Sequence, residues 1–311
     1  MFIIAILLTI FLRETINTEK TDFVMDTIMT IKAKGLASKN ATEKAFDRTR
    51  EIEARMTAHN IHSDISTGML HSDTKSVIER GLYFSEKSGG LFDISIKPLV
   101  DLWDIQSANP KVPNSVDIKK AMSLVDYKKV KIEGYKIILP QGMSIDLGAI
   151  AKGYAADEAT QVLRDNGIKD AIVDIGGDVV VIGNKKIGIQ NPLGVATGEY
   201  MGIIEATDCA VVTSGSYERN FVQDGKQYHH ILNPFTGYPS DNGLISATII
   251  GKNSMDADAM ATIVFMMGEN GLEFAKKMGV QAMTIDKNNI VHTTGDFSLV
   301  ITDDKFKLEE K

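Results

Sequence analysis

Helical and strand periodicities succeed one another along this chain without a regular alternation, and that irregularity is the strongest constraint on its fold. A doubly wound sheet requires helix and strand to alternate. The expectation here is instead an α+β fold, with mixed, largely antiparallel sheets and helices packed around them. Residues 23–34 alternate loosely and are rich in Ile and Thr, which predicts a strand. The Asn40-Ala-Thr-Glu43 capping-box pattern predicts a helix through Ala45, Phe46, Thr49, Ile52 and Met56. Further helices are predicted over 74–87, from Ser115, over 148–166 and over 256–267. Strands are predicted over 130–132, 136–139, 171–175, 179–182 and 244–250, with several more between 186 and 232. The Asn109-Pro-Lys-Val-Pro-Asn114 stretch marks a boundary candidate, but not two independent domains.

Composition narrows the class. With 311 residues, 43% apolar and 24% charged, the chain reads as globular and large enough for a sizeable core. That profile excludes a multispan membrane protein, a fibre and a disordered chain. The net charge of -7 argues against a non-specific nucleic-acid binder. The single cysteine, Cys209, can make neither an internal disulfide nor a cysteine metal cage. Residues 1–12 are apolar except for Thr9. A transmembrane helix needs about 17–25 such residues and a signal-peptide core about 7–15. Residues 1–22 are therefore expected to be a signal-like or anchor segment with a polar tether, and 23–311 the working body. Membrane association through the N-terminus would place that body at the outer face of the cytoplasmic membrane.

Several segments carry candidate chemistry. On a helix, Asp258 and Thr262 lie four residues apart on one face, and a carboxylate with a hydroxyl suits a hard cation such as Mg²⁺. Compensation of the helix dipole by Asp256 and Asp258 accounts for the same aspartates. In Asp146-Leu-Gly-Ala-Ile-Ala-Lys-Gly-Tyr154, small residues surround Lys152, so that a ligand can approach the backbone and free helix-start amides can attract phosphate. Close helix packing through the same small residues is the alternative. Neither a Walker A loop nor a dinucleotide fingerprint is present. His229 and His230 point to opposite faces if they lie on a strand, so one at most serves a given site. Asn233-Pro-Phe-Thr-Gly237 is a turn by composition. Thr213-Ser-Gly-Ser-Tyr-Glu-Arg219 is not a nucleophile elbow, so a serine hydrolase is poorly supported. Trp103 is the only tryptophan; together with Tyr154 it is a candidate for stacking on a ring, a buried core position being the commoner fate.

Together these segments resemble the ApbE family of FAD:protein FMN transferases, from about Phe23 to Gly268. The resemblance rests on Phe92-Asp-Ile-Ser-Ile-Lys-Pro-Leu-Val-Asp-Leu-Trp103, Asp146–Asp157, Asp174-Ile-Gly-Gly177, Ser214–Arg219, His229–Pro239 and Ala257–Thr262. It implies a T-fold-related body with a FAD cleft. It implies Mg²⁺-dependent transfer of FMN from FAD to a Thr or Ser hydroxyl of a target redox protein, with release of AMP. It implies that Asp258, Thr262 and the Ala149 carbonyl hold the metal. Met25, Leu102, Trp103, Asp104, Asp146, Lys152 and Leu232 match FAD-contacting positions, and His230 matches the histidine that deprotonates the acceptor hydroxyl.

Two departures stand out. The family's Met-Gly-Thr reads Met25-Asp26-Thr27 here, which adds bulk and charge where a glycine allows close approach. Asn60 stands in a region where many members carry an aromatic residue, and it keeps FAD hydrolysis to FMN and AMP as an alternative reaction. An extracytoplasmic FAD-binding protein that leaves FAD intact is the non-enzymatic alternative.

Overall fold

The structure, a computed structural model, describes residues 17–194, 198–295 and 298–309. The apolar segment 1–12 lies outside the described residues. Among the described residues, no helix is long and apolar enough to cross a membrane.

The fold is α+β, as its patterning predicts. Strands β1 (Asn17–Val24) and β2 (Thr27–Lys34) form a hairpin at one edge of a nine-stranded sheet. The sheet continues through β5 (Ala171–Ile175), β6 (Asp178–Ile182), β9 (Ala210–Gly215), β12 (Leu244–Gly251), β13 (Gln281–Asp286), β14 (Ile290–Thr293) and β16 (Lys307–Glu309). Every pairing in it is antiparallel except β14 with β16. The hairpin revises the expected single strand over 23–34 and the expected tether. Residues 17–22 pair with β2, and Met25 and Asp26, both at φ 57°, form the tight turn between the strands. Positive φ at both central residues matches the right-handed twist of a two-residue hairpin, and aspartate tolerates it better than most residues.

The sheet is buried on both sides through its two-residue alternation. Ala171, Val173 and Ile175 of β5, with Val180 and Ile182 of β6, face the main core and its helices. Ile172, Val179 and Val181 face the opposite side, where β7 (Asn184–Gln190) and β8 (Tyr200–Thr207) pair with β15 (Leu299–Ile301) to cover the second face. Two small hairpins, β3 (Lys131–Glu133) with β4 (Lys136–Ile138) and β10 (Asn220–Gln223) with β11 (Lys226–His229), complete the strands.

The helices are α1 (Ser38–Met56), α2 (Asp64–Thr67), α3 (Ser72–Lys87), α4 (Lys97–Trp103), α5 (Ser115–Met122), α6 (Ala151–Asp165), α7 (Ser254–Met267) and α8 (Gly271–Lys277). The capping box at Asn40 does not form. Helix α1 begins three residues earlier, after Ala37, and has no side-chain cap. Helix α6 begins at Ala151 rather than Gly148, because Leu147–Ile150 close a turn in which Ile150 N–H and Ala151 N–H both donate to Leu147 O. The short helices α2, α4 and α8 carry too few turns to show a clear period.

Helix α7 is buried around most of its circumference, between α6 and the sheet. Gly153 of α6 makes this approach feasible. A Cβ there would lie 2.3 Å from Ser254 O and 2.8 Å from the Met255 Cα. Backbone cannot yield as a flexible side chain does, so Gly153→Ala is expected to cost about 1–3 kcal/mol through overpacking. Urea unfolding of the variant checks this, and a wild-type midpoint would refute the proposed tight crossing.

Candidate functional site

The crossing of α6 and α7 leads directly to the main cleft. Asn253 caps α7 by accepting from Asp256 N–H at 2.8 Å. The Asp157 carboxylate of α6 accepts Ser254 N–H at 2.7 Å and Met255 N–H at 2.9 Å. Burial pushes Asp157 up to about 6, the two amides pulling against it. Asp256 turns outward to Arg80 in a bidentate pair, with both contacts at 2.6 Å. Dipole compensation therefore describes Asp256.

Asp258 has a different environment. It is 3% exposed, and its Oδ2 accepts Gly153 N–H at 3.1 Å and the Lys152 ammonium at 3.4 Å. Thr262, one turn further along α7, has its Oγ1 3.2 Å from Ser214 Oγ of β9. Lys152 also donates to Asp178 Oδ2 at 3.1 Å. Burial works against the Lys152 ammonium, but the charges of Asp178 and Asp258 outweigh it and hold its pKa above the ordinary lysine value. Asp178 is itself pushed well above the usual carboxylate range, first by burial and then by the neighbouring Asp258.

The cleft has a volume of about 720 Å³, within the range of about 300–1,000 Å³ common for small-molecule sites. Its wall brings together Met25, Trp103, Asp104, Asp146, Ala149, Lys152, His230, Leu232, Asp258 and Thr262. Acidic side chains outnumber Lys97, Lys152 and Arg219 along this wall. The loop before α6 is set by Asp146, whose N–H donates to Ile94 O at 2.8 Å and whose Oδ1 accepts Gly148 N–H at 2.7 Å. Burial raises the Asp146 pKa above the ordinary aspartate value, while the Gly148 amide lowers it. The amides at Gly148 and Gly153 are thus engaged by Asp146 and Asp258, which revises the expectation of free helix-start amides.

The hairpin turn forms one lip. Met25 N–H donates to Glu53 Oε1 at 2.8 Å, and Arg219 Nη2 donates to the Asp26 carbonyl at 3.3 Å. The site uses this turn through its backbone, and Asp26 occupies the left-handed conformation in place of the glycine that favours it.

The two histidines separate as the alternation predicts. His229 is buried; its Nε2 lies 2.8 Å from Ser240 O, and its Nδ1 accepts Ile231 N–H at 3.3 Å, so both ring nitrogens are committed. His230 lines the cleft and lies with Nδ1 3.3 Å from Arg219 O. A carbonyl partner assigns the proton to Nδ1 and leaves Nε2 as an acceptor. Burial, reinforced by the Arg219 charge, pushes the His230 pKa down to about 3, so the ring is neutral near pH 7.

Three expectations from the sequence are revised. Asn60 does not line the cleft; its Oδ1 accepts His62 N–H in an exposed turn. Leu102 packs in the satellite cluster around Leu99 and Ile118 rather than on the cleft wall. Tyr154 points away, donating to Asp73 Oδ1 at 3.0 Å. Trp103 reaches the wall but is 1% exposed, between Tyr228 and Tyr238 with Nε1 donating to Gly237 O at 2.8 Å, which makes it a fixed wall element. Arg219, Ser214 and Asp178 are functional candidates that spacing alone does not single out. The first two lie in a segment that carries the family resemblance but to which no site role was given, and Asp178 follows the Gly176-Gly177 turn.

The oxygen donors of Asp258, Thr262 and the Ala149 backbone suit a hard divalent cation. Among the described residues, no three His, Cys, Asp or Glu side chains assemble into a full cage. Mg²⁺ usually keeps water and substrate phosphate oxygens and needs only one or two carboxylates, so this donor set fits an ion shared with a substrate.

A family model described as the ApbE family matches residues 25–284. The FAD:protein FMN transferase of Treponema pallidum (strain Nichols) is 34% identical over 238 residues, covering 70% of this chain and 66% of that protein. The FAD:protein FMN transferase of Klebsiella pneumoniae (strain 342) is 39% identical over 202 residues, covering 63% of this chain and 64% of that protein. The matches thus span about two thirds of these relatives' own length. Among solved structures, the ApbE protein of Thermotoga maritima superposes with a TM-score of 0.81 at 29% identity, covering 93% of this chain and 97% of that one. A histidine-to-glycine mutant of the flavin transferase ApbE from Vibrio cholerae gives a TM-score of 0.78 at 26% identity, covering 93% and 98%.

The depressed His230 pKa has a consequence for stability. A base that falls from an ordinary value near 6.5 to about 3 binds fewer protons folded than unfolded in the window between, so stability is lost as pH drops through it. Between about pH 7.5 and about pH 5, the wild type is expected to lose about 2 kcal/mol more than His230→Asn. Urea unfolding at the two pH values checks this; equal losses would show that His230 is not held neutral by the fold.

Proposed function

The chain belongs to the ApbE family, and from that premise we propose that it transfers FMN from FAD to a threonine or serine hydroxyl of a target redox protein, with Mg²⁺ as the metal and AMP as the leaving product. The observation that carries this reading is the convergence on one cleft of Asp258 and Thr262, the Lys152 ammonium and a neutral His230.

In this reaction the acceptor oxygen forms a bond to the phosphorus on the FMN side, and the bond from that phosphorus to the AMP oxygen breaks. A diphosphate is anionic and the cleft wall carries an acidic excess, so charge must be neutralised for binding and for attack. Mg²⁺, when bound, supplies that neutralisation at the diphosphate. Asp258, Thr262 and the Ala149 carbonyl are the groups that would hold it. Lys152 adds a permanently charged donor, and Arg219 a second cation at the rim. Met25, Trp103, Asp104, Asp146 and Leu232 shape the wall against the flavin nucleotide.

His230 receives the hydroxyl proton at Nε2, because its Nδ1–H is engaged by the Arg219 carbonyl. In the free protein the Arg219 charge helps make this nitrogen a weak base. An anionic oxygen of the substrate that pairs with Arg219 removes that part of the depression and raises the basicity of His230, so proton acceptance is favoured once substrate is in place. Asn60, the feature that kept hydrolysis in view, has no side chain on the cleft wall, and the similarity to proteins named FAD:protein FMN transferase supports transfer. The apolar segment 1–12 supports membrane association and work at the outer face of the cytoplasmic membrane.

Incubation of the protein with FAD, Mg²⁺ and a candidate acceptor, followed by mass spectrometry, tests the proposal. An acceptor heavier by one FMN less one water supports transfer, whereas free FMN with an unmodified acceptor would refute it. Asp258→Ala is expected to abolish Mg²⁺-dependent transfer. His230→Ala is expected to slow transfer by about 10²–10⁴-fold while FAD affinity changes far less. Equal losses in rate and affinity would assign His230 to flavin positioning instead.

A further inference from the structure

We propose that Asp178 is a positioning residue for this site: it anchors the Lys152 ammonium so that the Asp258 carboxylate stays available to the divalent ion. The inference rests on the reading of Asp258 and Thr262 as metal-holding side chains.

Asp178 opens β6 and is 1% exposed. It is not part of the cleft wall, so it acts through its neighbours, Asp258 and Lys152. The Lys152 Nζ lies between the two aspartates, 3.1 Å from Asp178 Oδ2 and 3.4 Å from Asp258 Oδ2. The shorter contact is to the residue outside the cleft. Both bonds from α6 to Asp258, from Lys152 Nζ and Gly153 N–H, fall on Oδ2, so the helix does not engage the other carboxylate oxygen.

An ammonium and a divalent ion compete for the same carboxylate. Lysine carries its charge on a flexible four-carbon stem and settles wherever its anchors hold it. With Asp178 as a second anchor, Lys152 is drawn towards β6 and shares Asp258 with the ion. Without it, the ammonium collapses onto Asp258 and displaces the ion. Groups that orient a metal ligand in this way are typically worth about 10–100-fold in metal affinity.

The test is Mn²⁺ binding to the full chain in the presence of FAD, followed by electron paramagnetic resonance of the free ion. Asp178→Ala is expected to weaken binding about 10–100-fold. Asp178→Asn keeps an oxygen that accepts from Lys152, and its affinity is expected to stay within about threefold of wild type. Adding Lys152→Met to Asp178→Ala removes the intruding ammonium and, with FAD raised to saturate that variant, is expected to recover most of the loss in Mn²⁺ affinity, which a merely misfolded variant would not do. Wild-type affinity in Asp178→Ala, a loss in Asp178→Asn as large as in Asp178→Ala, or no recovery in the double variant would each overturn the proposal. Asp258→Ala separates the two layers. If it loses Mn²⁺ while Asp178→Ala retains it, only the positioning role fails; if it retains Mn²⁺, the reading of the metal site fails.

Discussion

Where α6 crosses α7, the backbone of Gly153 lies against Ser254 with no room for a methyl group, and its amide is given to Asp258. The other groups of the site are arranged around that contact. It brings a buried carboxylate to the first turn of a neighbouring helix, where the positive end of the dipole favours it. It sets Lys152, the residue before Gly153, beside the same carboxylate. It also lets Asp157, one turn further along α6, receive the first amides of α7. The small residues of α6 therefore serve both alternatives read from the sequence. They allow close helix packing, and the packing is what builds the site.

The sheet contributes placement rather than chemistry. Strand β9 supplies Ser214 against Thr262, β6 supplies Asp178 behind Lys152, and the β1–β2 turn supplies a backbone lip. Because both faces of the sheet are covered, these strands have little freedom to shift, and side chains at their ends are held to fixed positions.

The α+β class was legible because helical spacing is clear over α1 and α3 and a loose alternation over β2, while β5 and α7 read as apolar runs. The cleft was legible mostly through motif resemblance, since spacing alone could relate Asp258 to Thr262 but not to Lys152, more than a hundred residues away. Asp178 was hidden for the same reason: a single aspartate after a glycine pair looks like a turn residue, and only the approach of α6 to β6 shows that it faces Lys152. Asn60 and Leu102 went astray because a linear motif does not tell which way a loop or a short helix turns its side chains. The tether failed at residues 17–22 because a polar edge strand, wet on most of its surface, lacks the apolar alternation by which strands are recognised.

The hairpin that carries Met25 has a geometric corollary. Strand β1 runs eight residues from Asn17 to Val24, a distance of roughly 24 Å at the usual antiparallel rise. Whatever precedes Asn17 thus joins the body at the far end of this strand from the lip. The ladder of pairs with β2 fixes that separation, so a change at Asn17 can reach the lip only along the whole length of the hairpin.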